Sequence, residues 1–372
     1  MKNQVQQLAD LGQSVWLDNI QRSMFASGEL QKLIDAGLRG MTSNPTIFEK
    51  AIDHTDDYDE QLESLSGKVT DPSEIFAALA IQDIRGALDA FRPLYDSTGG
   101  GDGFVSLEVS PLLAHDTKGT IDAANQLWKA VDRPNLMVKI PGTEEGAPAI
   151  TEAIAAGLNV NVTLLFSLES YERSARAYVA GLERRVAAGL PIAGIASVAS
   201  VFLSRIDTAV DKLLDEKVAA GSAELASLRG KAAIATAKLV YESFERIFSS
   251  DAFKKLEAKG AKVARPLWAS TSTKNPDYPD LMYVETLVGP NTVNTMPPAT
   301  LDALLAHGTI AGGTIESDPA AAHAVFAELE KNGISMAAVT AELTVEGVKS
   351  FADSFDTMLS SIAAKQKQLA RV

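Results

Sequence analysis

The stretch LMVKIPGT, Leu136 to Thr143, places one lysine in an apolar, β-rich run that Pro141-Gly142 then ends. A lysine in such a place is costly to bury unless the chain pairs it or uses it. Burial disfavours the ammonium and pulls the amine down from its usual pKa of about 10.4. A neutral amine attacks carbonyls, and loss of water from the adduct leaves an imine. Once protonated, the imine draws electrons from the neighbouring carbon–carbon bond, which suits it to breaking or making that bond. Lys139 would need partners that move protons, and Asp18 and Glu108 are the carboxylates at matching positions. Blander readings stand beside this one. Lys139 can snorkel or pair with Glu108 or Asp18, and both acids can serve structural ion pairs.

Those positions match because of the elements that carry them. Eight short β-prone runs recur along the chain: SVWLDN (14–19), LRGMTSN (38–44), GFVSLEV (103–109), NLMVKIP (135–141), NVNVTLLFS (159–167), IAGIASVAS (192–200), KVARPLWAS (262–270) and NTVNTMP (291–297). Helical patterns lie between them. DPSEIFAALAIQDIRGALDAF (71–91) opens on Asp71 as cap, with Pro72 in the first turn and Glu74 three residues on. SLESYERSARAYVAGLERRVAAG (167–189) opens on Ser167 and closes on Gly189, and 223–248 reads as one long amphipathic helix. Strands alternating with helices imply parallel β/α units. Eight such units in one chain predict an α/β fold, a TIM (β/α)8 barrel, with strands over roughly 14–300. A doubly wound sheet is the alternative. The stretch 208–261 exceeds a minimal crossover and predicts an added helix. Helices over roughly 298–369 form a C-terminal extension, and residues 1–372 read as one domain because no Pro, Gly or Ser linker divides them.

A polar residue sits near the C-terminal end of seven runs: Asp18, Asn44, Glu108, Lys139, Asn161 with Thr163, Ser200 and Ser270. In a barrel these ends converge on one mouth. One alone reads as a helix cap or turn former, but seven point to a site.

Composition narrows the partners. The 372 residues carry a formal net charge of −14, which argues against nucleic acid and anionic membranes, whose binding needs clustered cations. Small anionic substrates remain compatible, since a few local cations suffice. No cysteine is present, which excludes disulfides, thiolate metal sites and cysteine nucleophiles. The N-terminus lacks the apolar core of a signal peptide and no run nears the length of a membrane span, so a cytoplasmic protein is expected. His54, His115, His307 and His323 are dispersed, none ends a predicted strand, and no metal site is expected. The sequence leaves the oligomeric state open.

The ordered set WLDNI, TSNPTIF, VSLEVSP, MVKIPGT, NVTLLFS and SVFLSRID resembles the transaldolase family from about residue 14 to about residue 300. The resemblance implies a fold, a reaction and roles. Lys139 would form a Schiff base with a ketose phosphate, Asp18 would take the proton of the C4 hydroxyl, and Glu108 would act through a water that Thr163 helps hold. Asn44, Asn161 and Ser200 would bind the hydroxyls of the dihydroxyacetone unit, with Phe202 lining the pocket. Arg205 and Ser270 would bind the phosphate. The implied reaction passes that unit from fructose 6-phosphate or sedoheptulose 7-phosphate to an aldose phosphate, with no metal or organic cofactor.

One departure concerns the phosphate end. The family often carries a second arginine two residues after its phosphate-binding serine. Here Ser272 stands there, and Lys274, two further on, is the candidate for the missing charge, a question the sequence leaves open. Three rival readings differ in chemistry. Related aldolases that release free dihydroxyacetone tend to have glutamine at the position of Glu108 and tyrosine at that of Phe202; this chain has neither. A non-catalytic sugar-phosphate-binding barrel does not require a matched acid, base and nucleophile. A pyridoxal phosphate enzyme also uses a lysine imine, but no Gly-rich phosphate cradle is placed for it.

Overall fold

Parallel strands buried on both faces read as largely apolar, β-branched runs, and the eight β-prone runs follow that pattern apart from the polar side chains they carry. In the computed structural model, which describes residues 2–65 and 67–369, they form β1 (Gln13–Asp18), β2 (Gly40–Thr42), β3 (Phe104–Glu108), β4 (Leu136–Pro141), β5 (Val160–Leu165), β6 (Ser197–Phe202), β7 (Ala264–Ala269) and β8 (Thr292–Met296). Each pairs in parallel with its neighbours, and β8 returns to β1, so the sheet closes into a (β/α)8 barrel rather than a doubly wound sheet. Only Asp18 and Arg265 among the strand residues escape full burial. One contiguous apolar cluster runs from Val5 to Ile362. No described helix is long and apolar enough to cross a membrane.

The helix starts follow local chemistry. Asp71 accepts from the Ser73 N–H at 3.1 Å and caps Pro72–Ser97, with proline at the first position. Ser167 caps Leu168–Ala187 reciprocally with Ser170. Two expectations shift. The run at 192–200 begins pairing only at Ser197, because Ile192–Ile195 form a turn, and the strand extends to Phe202. The long helix expected over 223–248 divides into a 3₁₀ turn, Ala223–Leu228, and a helix, Ala232–Phe248. Gly230 separates them with φ of +68°, where a side chain would also meet the Tyr278 ring at 2.9 Å.

Beyond Ser204–Ala219 the crossover to β7 holds the added helix Ala232–Phe248 and a shorter one, Asp251–Glu257. After β8 come Pro298–His307, Pro319–Lys331 and the 34-residue helix Met336–Leu369. This last helix carries Leu343, Gly347, Phe351, Phe355, Met358 and Ile362 along one buried stripe at helical spacing. At Gly347 a Cβ would lie 3.2 Å from Leu164 Cδ2 and 3.4 Å from Phe166, so the missing side chain lets the helix press on the end of β5. Thr46 and Ser354 share a hydroxyl hydrogen bond at 2.8 Å, and the Phe76 ring packs edge-on against Phe48 and Phe355. The C-terminal helix therefore crosses the barrel mouth.

The opposite end is held by charge. Asp102, just before β3, accepts from Ser14 Oγ at 2.8 Å and from the Arg265 guanidinium at 3.0 Å, while Arg265 also donates to Ser14 Oγ at 2.9 Å. Three strands are thereby tied far from the mouth. Removing one partner of a largely buried pair strands the other. Asp102→Ala is expected to lower unfolding free energy by about 3 kcal/mol in urea titrations while leaving kcat/KM within about twofold.

Candidate active site

In β4, Leu136, Val138 and Ile140 alternate with Met137 and Lys139, so the strand's period of two turns the lysine inward. Lys139 pairs in register with Glu108 on β3 and with Asn161 on β5, which sets the three side chains in one row. Its Nζ lies 3.1 Å from Glu108 Oε2, both side chains being 5% exposed or less, and donates to the Ser43 carbonyl at 3.0 Å. Glu108 Oε1 and Thr163 Oγ1 are buried without a hydrogen-bond partner among the described residues. Asp18, at the end of β1, accepts from Thr42 Oγ1 at 2.6 Å, and Thr42 bonds Thr295 Oγ1 at 2.7 Å.

Burial pushes both carboxyls above their ordinary range, and the Lys139 ammonium opposes that rise in each. Thr42 also holds Asp18 down, whereas Asp18 adds to the rise at Glu108. Acids raised in this way exchange protons closer to neutral pH than surface carboxyls do.

A cavity of about 410 Å³ opens above these groups. Asp18, Asn44, Lys139, Thr163, Ser200, Phe202, Arg205, Ser270 and Lys274 line it, so nine of the twelve residues singled out in the sequence meet at one place. Three do not. Glu108 lies behind Lys139. Asn161 is wholly covered, donating to Ser106 Oγ at 3.0 Å and accepting from Ser200 Oγ at 2.7 Å. Ser272 is outside the lining. Asn44 has two uses: it caps Pro45–Asp53 through the Ile47 N–H at 3.0 Å, and it faces the cavity.

The phosphate candidates come from two elements. Arg205 is the second residue of helix Ser204–Ala219 and makes no salt bridge among the described residues. Burial lowers its guanidinium from the ordinary value, and Glu346 on the C-terminal helix works the other way. Ser270, with φ of +55°, follows β7 and shares a hydrogen bond with Ser204 Oγ at 2.8 Å. Leu164, beside Thr163, has φ of +60° at a register shift in β5, a conformation that costs a leucine about 1–3 kcal/mol.

Reading strand ends alone misses the residues reaching the cavity from elsewhere. Lys50 comes from Pro45–Asp53 and Gln21 from the loop after β1. Phe351 comes from the C-terminal helix, its ring centroid 5.6 Å from Lys139 Nζ and 6.3 Å from the Phe202 ring. The apolar stripe bearing Phe351 is visible in the sequence, but not the surface it meets. All four histidines are exposed beside acidic residues, and no group of three or more His, Asp or Glu among the described residues is arranged to hold a metal ion.

An inward lysine set against a carboxylate at the C-terminal mouth of a closed (β/α)8 barrel is the layout of the imine-forming barrel aldolases. Comparison with known proteins agrees with this class. Residues 15–362 match the family model described as transaldolase/fructose-6-phosphate aldolase. A transaldolase of Parafrankia sp. is 49% identical over 363 residues, 97% of this chain and 98% of its own length. One of Saccharopolyspora erythraea is 50% identical over 362 residues, 97% of each chain, and transaldolase 2 of a Nostoc species is 45% identical over 379. The chain belongs to the transaldolase/fructose-6-phosphate aldolase family.

One pH effect follows from the helix that carries Arg205. Asp207, 2% exposed, accepts from the Ala233 N–H at 2.8 Å and the Tyr283 hydroxyl at 2.7 Å, and burial pushes its carboxyl up to about 6. The folded state thus holds this proton to higher pH than the unfolded chain, so stability falls as pH climbs through that window. Urea unfolding at pH 4.5 and pH 7 is expected to show a loss smaller in Asp207→Asn than in wild type, by roughly 2 kcal/mol.

Proposed function

We propose that this chain is a transaldolase, a transferase of the non-oxidative pentose phosphate pathway. It moves a dihydroxyacetone unit from fructose 6-phosphate or sedoheptulose 7-phosphate to glyceraldehyde 3-phosphate or erythrose 4-phosphate. The observation that carries this reading is Lys139 Nζ, 3.1 Å from Glu108 at a cavity that also holds Asp18 and Arg205, which makes no salt bridge among the described residues. Near end-to-end similarity to relatives named transaldolase supports it. On this reading one catalytic domain works in the cytoplasm on free sugar phosphates, without nucleic acid or membrane.

Glu108 takes a proton from Lys139, 3.1 Å away, and the neutral amine adds to the C2 carbonyl of the ketose. Glu108, acting through a water that Thr163 helps hold, returns the proton that lets the carbinolamine lose water. The unpartnered Glu108 Oε1 and Thr163 Oγ1 provide the hydrogen-bonding capacity for that water. Asp18 then takes the C4 hydroxyl proton. The C3–C4 electrons move into the iminium, an aldose phosphate leaves, and an enamine stays on Lys139. A second aldose phosphate receives the unit by the reverse steps, in ping-pong order. The iminium is the electron sink, so the scheme needs no metal or organic cofactor.

Asn44 and Ser200 hold the hydroxyls of the bound unit, and Asn161 orients Ser200 from beneath. Phe202 and Phe351 form an apolar wall that keeps water from the enamine, which favours transfer over release. Arg205, Ser270 and Lys274 take the phosphate, and the cation lost at Ser272 is supplied by Lys274, which lines the cavity.

Borohydride added with fructose 6-phosphate should trap a reduced adduct on Lys139, located by mass spectrometry. An adduct that persists in Lys139→Ala, or none in wild type, overturns the assignment. Without acceptor, fructose 6-phosphate should give no steady stream of free dihydroxyacetone; such a stream would make the protein an aldolase. Asp18→Asn should lower kcat by about 10²–10⁴-fold with trapping retained. Lys274→Ala should raise KM for fructose 6-phosphate on the order of tenfold with little change in kcat, as loss of a charged hydrogen bond requires.

A further inference from the structure

The two elements that present the phosphate candidates are tied together twice, outside the cavity. Helix Ser204–Ala219 carries Arg205, and one turn apart on its far side it carries Asp207 and Asp211. The segment after β7 carries Ser270 and Lys274, then Tyr278 and Tyr283. Tyr283 donates to Asp207 Oδ2 at 2.7 Å, and Tyr278 donates to Asp211 Oδ2 at 2.6 Å. The other oxygen of each carboxylate is also used: Asp207 Oδ1 accepts from the Ala233 N–H at 2.8 Å, and Asp211 Oδ1 from the Gly230 N–H at 3.0 Å. The same bridge, from tyrosine hydroxyl to carboxylate to backbone N–H, is therefore built twice, on carboxylates four residues apart on one helix.

Lys274 stands beside this bridge. It lines the cavity above Lys139 and also a second cavity of about 270 Å³, whose walls include Asp207, Asp211 and Tyr278. A lysine on a loop is a flexible point charge, and its distance from Arg205 depends on where the loop is held. Arg205 belongs to the helix, Lys274 to the loop, and the phenol–carboxylate pairs set the separation of the two.

We propose that Tyr278 and Asp211 are positioning residues for the phosphate end of the substrate. They act through Lys274, holding its loop against the helix of Arg205 so that both cations meet one phosphate group. They touch neither substrate nor Lys139, so they govern recognition of the phosphorylated end and leave imine chemistry alone. The inference rests on the transaldolase reading for its substrate, but on the two bridges for its geometry.

Tyr278→Phe is the direct test, because Asp211 keeps its bond to Gly230 and the helix keeps its Asp207 bridge. The measurements are KM and kcat with fructose 6-phosphate, the inhibition constant of inorganic phosphate, and borohydride trapping of dihydroxyacetone, which lacks a phosphate. KM and the phosphate inhibition constant should rise together by about five- to tenfold, with kcat and dihydroxyacetone trapping within about twofold of wild type. In a Lys274→Ala background, Tyr278→Phe should add less than about twofold, since residues acting through one another are not additive. Asp211→Asn, which keeps an acceptor for one partner, should give a smaller rise than Asp211→Ala. An unchanged phosphate inhibition constant in Tyr278→Phe overturns the proposal, and so does a parallel fall in kcat and dihydroxyacetone trapping. A fully additive effect over Lys274→Ala overturns the route through that lysine. Failure of the transaldolase reading shows separately, as absence of an adduct in wild type.

Discussion

An ammonium buried to within 5% of complete coverage stands against a carboxylate at 3.1 Å, and the upper half of the molecule is arranged around that contact. Burying a lysine without a counter-charge is prohibitive, and burying a carboxylate without one is equally so. Each makes the other tolerable. Barrel closure makes the meeting obligatory: Glu108 and Lys139 are register partners on adjacent parallel strands, so their side chains share a face and a height. Neither can turn away without slipping a strand by one residue, which would send every apolar side chain on it to the wrong face. Asp18 completes the group across the mouth, and its own partner Thr42 is tied in turn to Thr295.

The proposed phosphate end follows the opposite rule. Arg205 sits in a cavity wall without a salt bridge among the described residues. The carboxylates on the same helix, Asp207 and Asp211, are spent instead on tyrosine hydroxyls and backbone N–H groups, where they stiffen the neighbourhood without neutralising the guanidinium. The site thus divides its charges by the proposed use: paired and buried where a proton would move, and without a salt bridge among the described residues where an anion would bind. Preorganised cations lose less on binding than mobile ones do.

The C-terminal helix supplies the third requirement, shelter. Gly347 lets it lie against Leu164 and Phe166, and Phe351 then sits against Phe202 over the lysine. On the proposed mechanism an enamine on Lys139 would be lost to water unless its surroundings were dry, and these two rings would provide the apolar wall. The left-handed φ at Leu164 lies where this helix presses on β5, so local strain coincides with the place where shelter and barrel meet.

Much of this was legible in the residues. Eight β-prone runs alternating with helices specified the barrel, and the helix caps Asp71 and Ser167 were readable because capping is a local hydrogen bond. Polar residues at strand ends gathered at one mouth because parallel strands share a direction. The break at Gly230 was hidden, since Ala223–Phe248 keeps a helical period on both sides, and the contacts that fix the turn, Tyr278 and Asp211, come from elsewhere in the chain. The types of residue, their spacing and their strand-end placement came from chain order, because propensity and period act over a few neighbours. Which of them touch was left to closure of the barrel. Asn161 sank beneath the cavity floor, Glu108 went behind Lys139, and Phe351 arrived from 212 positions along the chain beyond Lys139. Distances between residues remote in sequence are set only once the strands close and the last helix docks.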